Sequence, residues 1–320
     1  MEFNKSKKIL VIGRAGMDIY PEPPGTKISE VKNFSTHLGG SAANTCVALS
    51  QLGVQSDLLT CVSEDAIGEY IFEKLKEFNV GSNFCRRVEN KFQTQVAVVE
   101  TILKNNQSIL YRNNSCDLQL NKNDIDNINF QDYSAVFISG TTLSSNPSRD
   151  AVFYATQKAS SLSIPLIIDM DYRPYNWESD EIKSNIYKKI MNEMDIIIGN
   201  DLEFNIADNS TEGFQLAKSF INEKPSIIIY KMGEKGSTVI TKEKEHNFGI
   251  FKVEAIKPTG AGDAFNGGFI SSVLQGYSLE DSIERGSANA AIVVTKVGCS
   301  SAMPNTDELE NFINQQTMEI

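Results

Sequence analysis

Lys257-Pro-Thr-Gly-Ala-Gly-Asp263, followed by Ala264-Phe-Asn-Gly-Gly-Phe-Ile270, is the most informative stretch of the 320-residue chain. Phe265, Phe269 and Val273 share one helical face, so the spacing predicts a helix beginning near Ala261. Glycines at 260 and 262 let backbone N–H groups point together without interference from a Cβ. With the helix N-terminus behind them, the amides of Gly260, Ala261 and Gly262 suit a phosphoryl oxygen. Asp263 falls in the first turn, where the helix dipole favours a carboxylate. The plain alternative is a glycine turn whose Asp merely favours the helix start.

Two further stretches have the same character. Gly39-Gly-Ser-Ala-Ala-Asn44 opens a helix reaching Leu52, with Gly53 as its C-terminal stop. The double glycine permits close approach of a ligand, and Asn44 offers both a donor and an acceptor. Alternatively, Ser41 is an N-cap and Ala42, Ala43 and Cys46 pack tightly. Asn200-Asp-Leu-Glu203 follows the apolar run 195–199, and a carboxylate at a strand's carboxyl end is well placed for ligand work. Glu203 there suits a hydrated magnesium ion, or is simply a solvated acid at a helix start. Lys231-Met-Gly-Glu-Lys-Gly236 reads either as a turn beside a nucleotide or as a plain hairpin into 237–241.

Outward from these motifs, short apolar runs alternate with amphipathic stretches along the whole chain. The runs 9–13, 58–62, 135–140, 165–169, 195–199 and 226–230 read as buried strands. Ile67, Tyr70, Ile71, Leu75 and Phe78, and likewise Val152, Ala155, Ala159 and Leu162, recur at helical spacing. Such alternation implies an α/β fold with a mainly parallel sheet covered by helices on both faces. The segment 18–34 is rich in Pro and Gly. Thr94–Leu103 alternates, turns at Lys104-Asn105-Asn106-Gln107 and resumes at 108–112 as a hairpin. Both segments are expected to form a small β-lid, over about 18–36 and 94–113, on a single domain spanning 1–320.

Composition removes other classes. A net charge of −11 opposes broad nucleic-acid or anionic-membrane binding. Two distant histidines and five cysteines without short spacing argue against a zinc site. No apolar run reaches the length of a membrane span, and Ile9–Ile12 is too short for a signal peptide, so a cytoplasmic address is expected. The dipeptide Gly-Lys never occurs, which excludes a P-loop, and no GxSxG or strand-linked GxGxxG is present.

Taken together, GGSAANTCVALSQLG at 39–53, TGAGDAFNGGF at 259–269 and the NxxE element between them resemble the ribokinase-like (PfkB) carbohydrate kinases. The resemblance implies a three-layer α/β/α fold with a β-lid, and transfer of the γ-phosphoryl of ATP to a sugar hydroxyl. It implies Asp263 as the base, with Gly260, Ala261 and Gly262 as the anion hole. Asn200 and Glu203 would organise Mg²⁺ through water and phosphate. Lys231, Gly233, Gly236, Thr259 and Asn289 would line the nucleotide, and Asp18, Gly39, Gly40 and Asn44 the sugar. A homodimer through the lid is expected by the same resemblance. The different-class alternative is an inactive kinase-fold sensor or assembly subunit.

Of only seven arginines, Arg14, Arg112 and Arg173 fall beside these motifs. A guanidinium matches a carboxylate in a bidentate fork, so a sugar acid is expected as substrate. The alternative pairs Arg112 and Arg173 with structural acids, Arg173 with Asp169 or Asp171. Phrases such as Tyr111-Arg-Asn-Asn-Ser-Cys-Asp117 and Asp171-Tyr-Arg-Pro-Tyr-Asn-Trp177 look like the branch of the family acting on 5-dehydro-2-deoxy-D-gluconate in myo-inositol breakdown. Kinases of 2-keto-3-deoxygluconate and fructose are the alternatives. One departure stands out: many relatives carry Asp-Thr where this chain has Lys257-Pro258, and that Asp helps hold a monovalent cation. The sugar-acid branch itself tends to carry Lys-Pro. A lysine there repels K⁺ and supplies a fixed charge, so a lessened need for potassium is expected.

Overall fold

The structure, a computed structural model, describes residues 4, 7–89, 91–102 and 107–319. Leu103 and positions 104–106 of the expected hairpin turn lie outside the described residues, as do most of the first six positions. The first strands are β1 (Lys8–Ile12), β2 (Gly16–Glu22), β3 (Asn33–Gly39), β4 (Ser56–Ser63), β5 (Gly81–Val88), β6 (Gln95–Val99) and β7 (Ser108–Tyr111). They are followed by β8 (Tyr133–Ser139), β9 (Leu166–Asp169), β10 (Ile196–Asn200), β11 (Ile227–Lys231), β12 (Ser237–Thr241) and β13 (Glu245–Phe248). The helices are α1 (Ser41–Gln51), α2 (Ala66–Glu77), α3 (Lys122–Asp126), α4 (Ser148–Ser161) and α5 (Asp180–Met191). Then come α6 (Asp201–Asp208), α7 (Gly213–Phe220), α8 (Ala261–Gln275), α9 (Leu279–Val294) and α10 (Thr306–Gln315).

The chain divides into two compact units, one of residues up to Ile12 with Leu118–Ile250, the other of Gly13–Asp117 with Phe251–Glu319. In the first, the strands lie in the order β13-β12-β11-β10-β9-β8-β1. Pairings from β1 through β11 are parallel, and β12 and β13 add antiparallel. The parallel strands are apolar on both faces because helices cover both. All seven residues of β8 are buried, as are Ile196, Ile197 and Ile198 of β10. Register sets Ser139 beside Asp169, Asp169 beside Ile198, and Asn200 beside Lys231. The polar ends of four successive strands therefore share one edge, the carboxyl edge where open α/β sheets bind ligands.

In the second unit β4 and β5 pair in parallel, and a separate four-stranded sheet runs β3-β2-β6-β7. This smaller sheet takes in the segments expected to form a lid, with bounds of 16–39 and 95–111 where 18–36 and 94–113 were expected. Tyr20, Ala97 and Val99 form its buried face. Helices α9 and α10 pack around Leu52, Phe251, Ala288, Ile292 and Leu309. Among the described residues no helix is long and apolar enough to cross a membrane.

Candidate functional site

The helix predicted to begin near Ala261 begins there. Its N-cap is Gly260 with φ +88°, a left-handed conformation that costs a residue with a Cβ. A Cβ at that position would also lie 2.7 Å from the Cys299 sulfur. The amides of Gly262 and Asp263 lie in the first turn, where no intrahelical carbonyl is available to them. Asp263 is half-buried in that turn. Asn44 Nδ2 donates to Asp263 Oδ2 at 2.8 Å, so one carboxylate oxygen is fixed. The Ser300 hydroxyl lies 2.7 Å from both Asn44 Oδ1 and the Leu38 carbonyl, sharing its one proton and holding the Asn44 amide in orientation.

Asn44 occupies the first turn of α1, whose N-cap is Gly40. Ser41 is thus not the cap: it is the first helical residue. Ala42, Ala43 and Cys46 are fully buried, as the packing alternative expected. Gly39 is required for another reason, since a Cβ there would lie 2.0 Å from Asp18 Oδ1. Asp18, on β2, is buried, and burial pushes its carboxyl up to about 6 against the pull of Arg14 and Lys257. Arg14 is buried as well and donates from Nη1 to Gln95 Oε1 at 2.7 Å.

Asp18 has a calculable cost. Its folded value lies above the unfolded 3.8, so the stability present below pH 3.8 is lost as pH rises through about 6. The loss at pH 8 is about 3 kcal/mol. Asp18→Asn is therefore expected to melt above the wild type at pH 8, with the gap narrowing as pH falls to 5. A variant that melts lower at pH 8, by a margin growing with pH, would contradict this electrostatic reading.

Arg112 is paired with an acid of the chain itself. It forms an ion pair with Asp117 in which the two side chains are 1% and 2% exposed, and Ser115 donates to the same aspartate. Arg112–Asp117 and Arg173–Asp171 are both pairs of the kind the structural-acid alternative expected. Asn289, expected along the nucleotide, is fully buried, and its Nδ2 donates to the Ala264 carbonyl at 2.6 Å, tying α9 to α8. Thr259 contributes a carbonyl that accepts from Lys257.

The first unit carries its own set. Asn200 caps α6 with Oδ1 accepting from the Glu203 amide at 2.9 Å. Glu203 reaches back, Oε2 accepting from the Asn200 amide at 2.8 Å and Oε1 from the Tyr172 amide at 3.0 Å. The NxxE element is thus a capping box. Glu203 is not the solvated acid of the plain reading: it is buried, and burial together with Asp169 pushes it up to about 7, against Lys231. Lys231 Nζ lies 3.6 Å from Asp169 Oδ1. Asp171, held at φ +34°, accepts from the Ser139 hydroxyl and pairs with Arg173 at 2.9 Å. Arg173 keeps 38% of its side chain exposed. Gly233 and Gly236 lie in the tight turn joining antiparallel β11 and β12, as the hairpin reading expected.

These carboxylates are hard oxygen donors crowded enough to raise Glu203, a state that a divalent cation would relieve. Both Glu203 oxygens already accept amides, and the described residues hold no cluster of three ligands for direct coordination. The set fits a magnesium ion that keeps its water shell.

Comparison with known proteins identifies the family. The family described as pfkB family carbohydrate kinase matches residues 6–306. A 5-dehydro-2-deoxygluconokinase of Photobacterium profundum is 35% identical, covering 97% of this chain and 96% of its own. Among solved structures, a putative ribokinase II from E. coli in complex with ATP and Mg²⁺ superimposes with a TM-score of 0.86 at 20% identity, over 97% of this chain and 99% of its own. A fructokinase double mutant from Vibrio cholerae O395, in a form with bound fructose, ADP and potassium, gives 0.84 at 21%, over 98% and 100%. The sheet order, the glycine turn with its aspartate and this near-full-length match have one reading: the chain belongs to the pfkB family of carbohydrate kinases and has their ribokinase-like α/β fold.

Proposed function

We propose that the chain transfers the γ-phosphoryl of ATP to the terminal hydroxyl of a sugar acid, 5-dehydro-2-deoxy-D-gluconate being the substrate favoured. The observation that carries this reading is Asp263, held by Asn44 in the first turn of a helix that opens on a glycine N-cap. Phosphoryl transfer asks the protein for alignment and charge stabilisation rather than for covalent chemistry.

In this account the acceptor hydroxyl lies against Asp263, with Asp18 and Asn44 holding its neighbouring hydroxyls. The hydroxyl oxygen forms its bond to the γ-phosphorus as the bond from that phosphorus to the β–γ bridging oxygen breaks. The electron pair leaves with ADP, and the hydroxyl proton passes to Asp263. The amides of Gly262 and Asp263 bind the phosphoryl oxygens, where dipole and hydrogen bond act together. Lys231 is assigned to the nucleotide phosphates, and the turn at Gly233–Gly236 to the nucleoside. Asn200 and Glu203 would orient the waters of a magnesium ion, whose chemistry is to neutralise phosphate charge. Arg173 is assigned to the substrate carboxylate because, beside its pair with Asp171, 38% of its side chain is exposed, whereas the Arg112 side chain is 1% exposed.

The test is a coupled assay of ADP release with 5-dehydro-2-deoxygluconate, 2-keto-3-deoxygluconate and fructose. The first is expected to lead in kcat/KM by about tenfold or more, the worth of roughly 1.4 kcal/mol of differential binding. Fructose as the best acceptor would overturn the sugar-acid assignment. Absence of turnover with every acceptor would favour the inactive-sensor alternative.

A further inference from the structure

Lys257 is fully buried. Its ammonium donates to the Thr259 carbonyl at 2.7 Å and to the Val293 carbonyl at 3.2 Å. The first acceptor is the carbonyl of the peptide that leads into Gly260, the left-handed N-cap of α8. The second lies in the last turn of α9, where helix carbonyls gather the negative end of the dipole. Burial pulls the lysine below its ordinary value, while Cys299, Asp18 and Asp263 pull it back up. A buried ammonium is costly unless carbonyls and nearby acids offset it, and here both are at hand.

From this placement we infer that Lys257 is the resident cation of the anion-binding turn. It fixes the Thr259–Gly260 peptide that aims the first amides of α8, and it removes the need for a monovalent metal ion. The inference rests on the kinase reading above. The potassium implied by the family resemblance does not fit these residues: the carbonyls of Thr259 and Val293 converge on a point the ammonium occupies, and a K⁺ ion on the same oxygens would touch a like charge. Lys257 touches neither reactant. It is a positioning residue, acting through the turn and through its field on Asp18 and Asp263.

The experiment compares turnover and melting temperature of the wild type in potassium, sodium and tetramethylammonium chloride at one ionic strength. Lys257→Met, Lys257→Arg and Lys257→Ala are measured alongside. Wild-type kcat is expected to agree within about twofold across the salts, with no potassium-selective rise in melting temperature. In Lys257→Met, kcat is expected to fall about 30-fold or more with the sugar KM moved far less, the mark of a lost transition-state alignment. Lys257→Arg is expected to retain most turnover, and added methylammonium to restore about tenfold in Lys257→Ala. A strong potassium activation of the wild type, a potassium-selective stabilisation, or full kcat in Lys257→Met would each overturn the inference. Where the methionine variant fails to fold, the wild-type salt comparison decides. A wild type that phosphorylates nothing in any salt counts against the kinase reading alone, and its melting response to potassium still decides the role of Lys257.

Discussion

Asp263→Asn is expected to lower kcat by roughly 10²–10⁴, equivalent to about 3–5 kcal/mol of transition-state stabilisation, with little change in sugar KM. The substitution preserves shape and the partner: an asparagine oxygen still accepts from Asn44 Nδ2, which now donates to the aspartate at 2.8 Å. The helix start stays intact, because its geometry is set by Gly260 rather than by residue 263. What disappears is the proton acceptor. Steady-state kinetics with saturating ATP read the effect directly. A variant within about tenfold of the wild type would mean that the hydroxyl proton leaves by another route and that Asp263 is a hydrogen-bonding residue only.

Arg112→Ala is expected to destabilise the fold by about 3–5 kcal/mol, because it strands a buried carboxylate. The side chain of Asp117 is 2% exposed, and the neutral Ser115 hydroxyl that also donates to it does not balance its charge. Replacing both partners with apolar residues, as in Arg112→Met with Asp117→Leu, is expected to recover part of the loss, since no uncompensated charge remains. Thermal or denaturant midpoints of the single and double variants measure this. If Arg112→Ala kept its stability but lost affinity for the acid substrate, the pairing would be subordinate to ligand binding, as the sequence expectation has it.

Much of the fold is legible in the sequence because its signals are local. The apolar runs that form β1, β4 and β8–β11 lie within two residues of their expected bounds, and α8 starts at the residue where the spacing places it. Strand β5 carries no such signal. Its Gly-Ser-Asn-Phe-Cys-Arg-Arg-Val is mostly half-exposed at the end of its strand order, so it has no continuous apolar run. The N-cap of α1 misleads a reading of residue types, because Ser41 has the chemistry of a cap while the cap position falls on Gly40, whose φ of +91° favours glycine.

The site is legible where ligand chemistry and local geometry coincide, as at Gly260–Asp263. Contacts distant in sequence are not. Nothing local announces that Ser300 orients Asn44 or that Gln95 accepts from Arg14. Asn289, which the resemblance places along the nucleotide, is buried with its Nδ2 on the Ala264 carbonyl, a tie between two helices that no local pattern announces. Asn200-Asp-Leu-Glu203 satisfies two descriptions at once, a capping box and a magnesium-organising pair, and sequence alone ranks neither above the other.

The most direct measurement of the central claim is ³¹P NMR of a reaction containing the wild-type protein, Mg·ATP and 5-dehydro-2-deoxygluconate. The account predicts that the γ-phosphate resonance is replaced by ADP and by a phosphomonoester whose phosphorus couples to the protons of the sugar's terminal carbon. Inorganic phosphate as the product, or an ATP spectrum unchanged by the sugar acid, would contradict it.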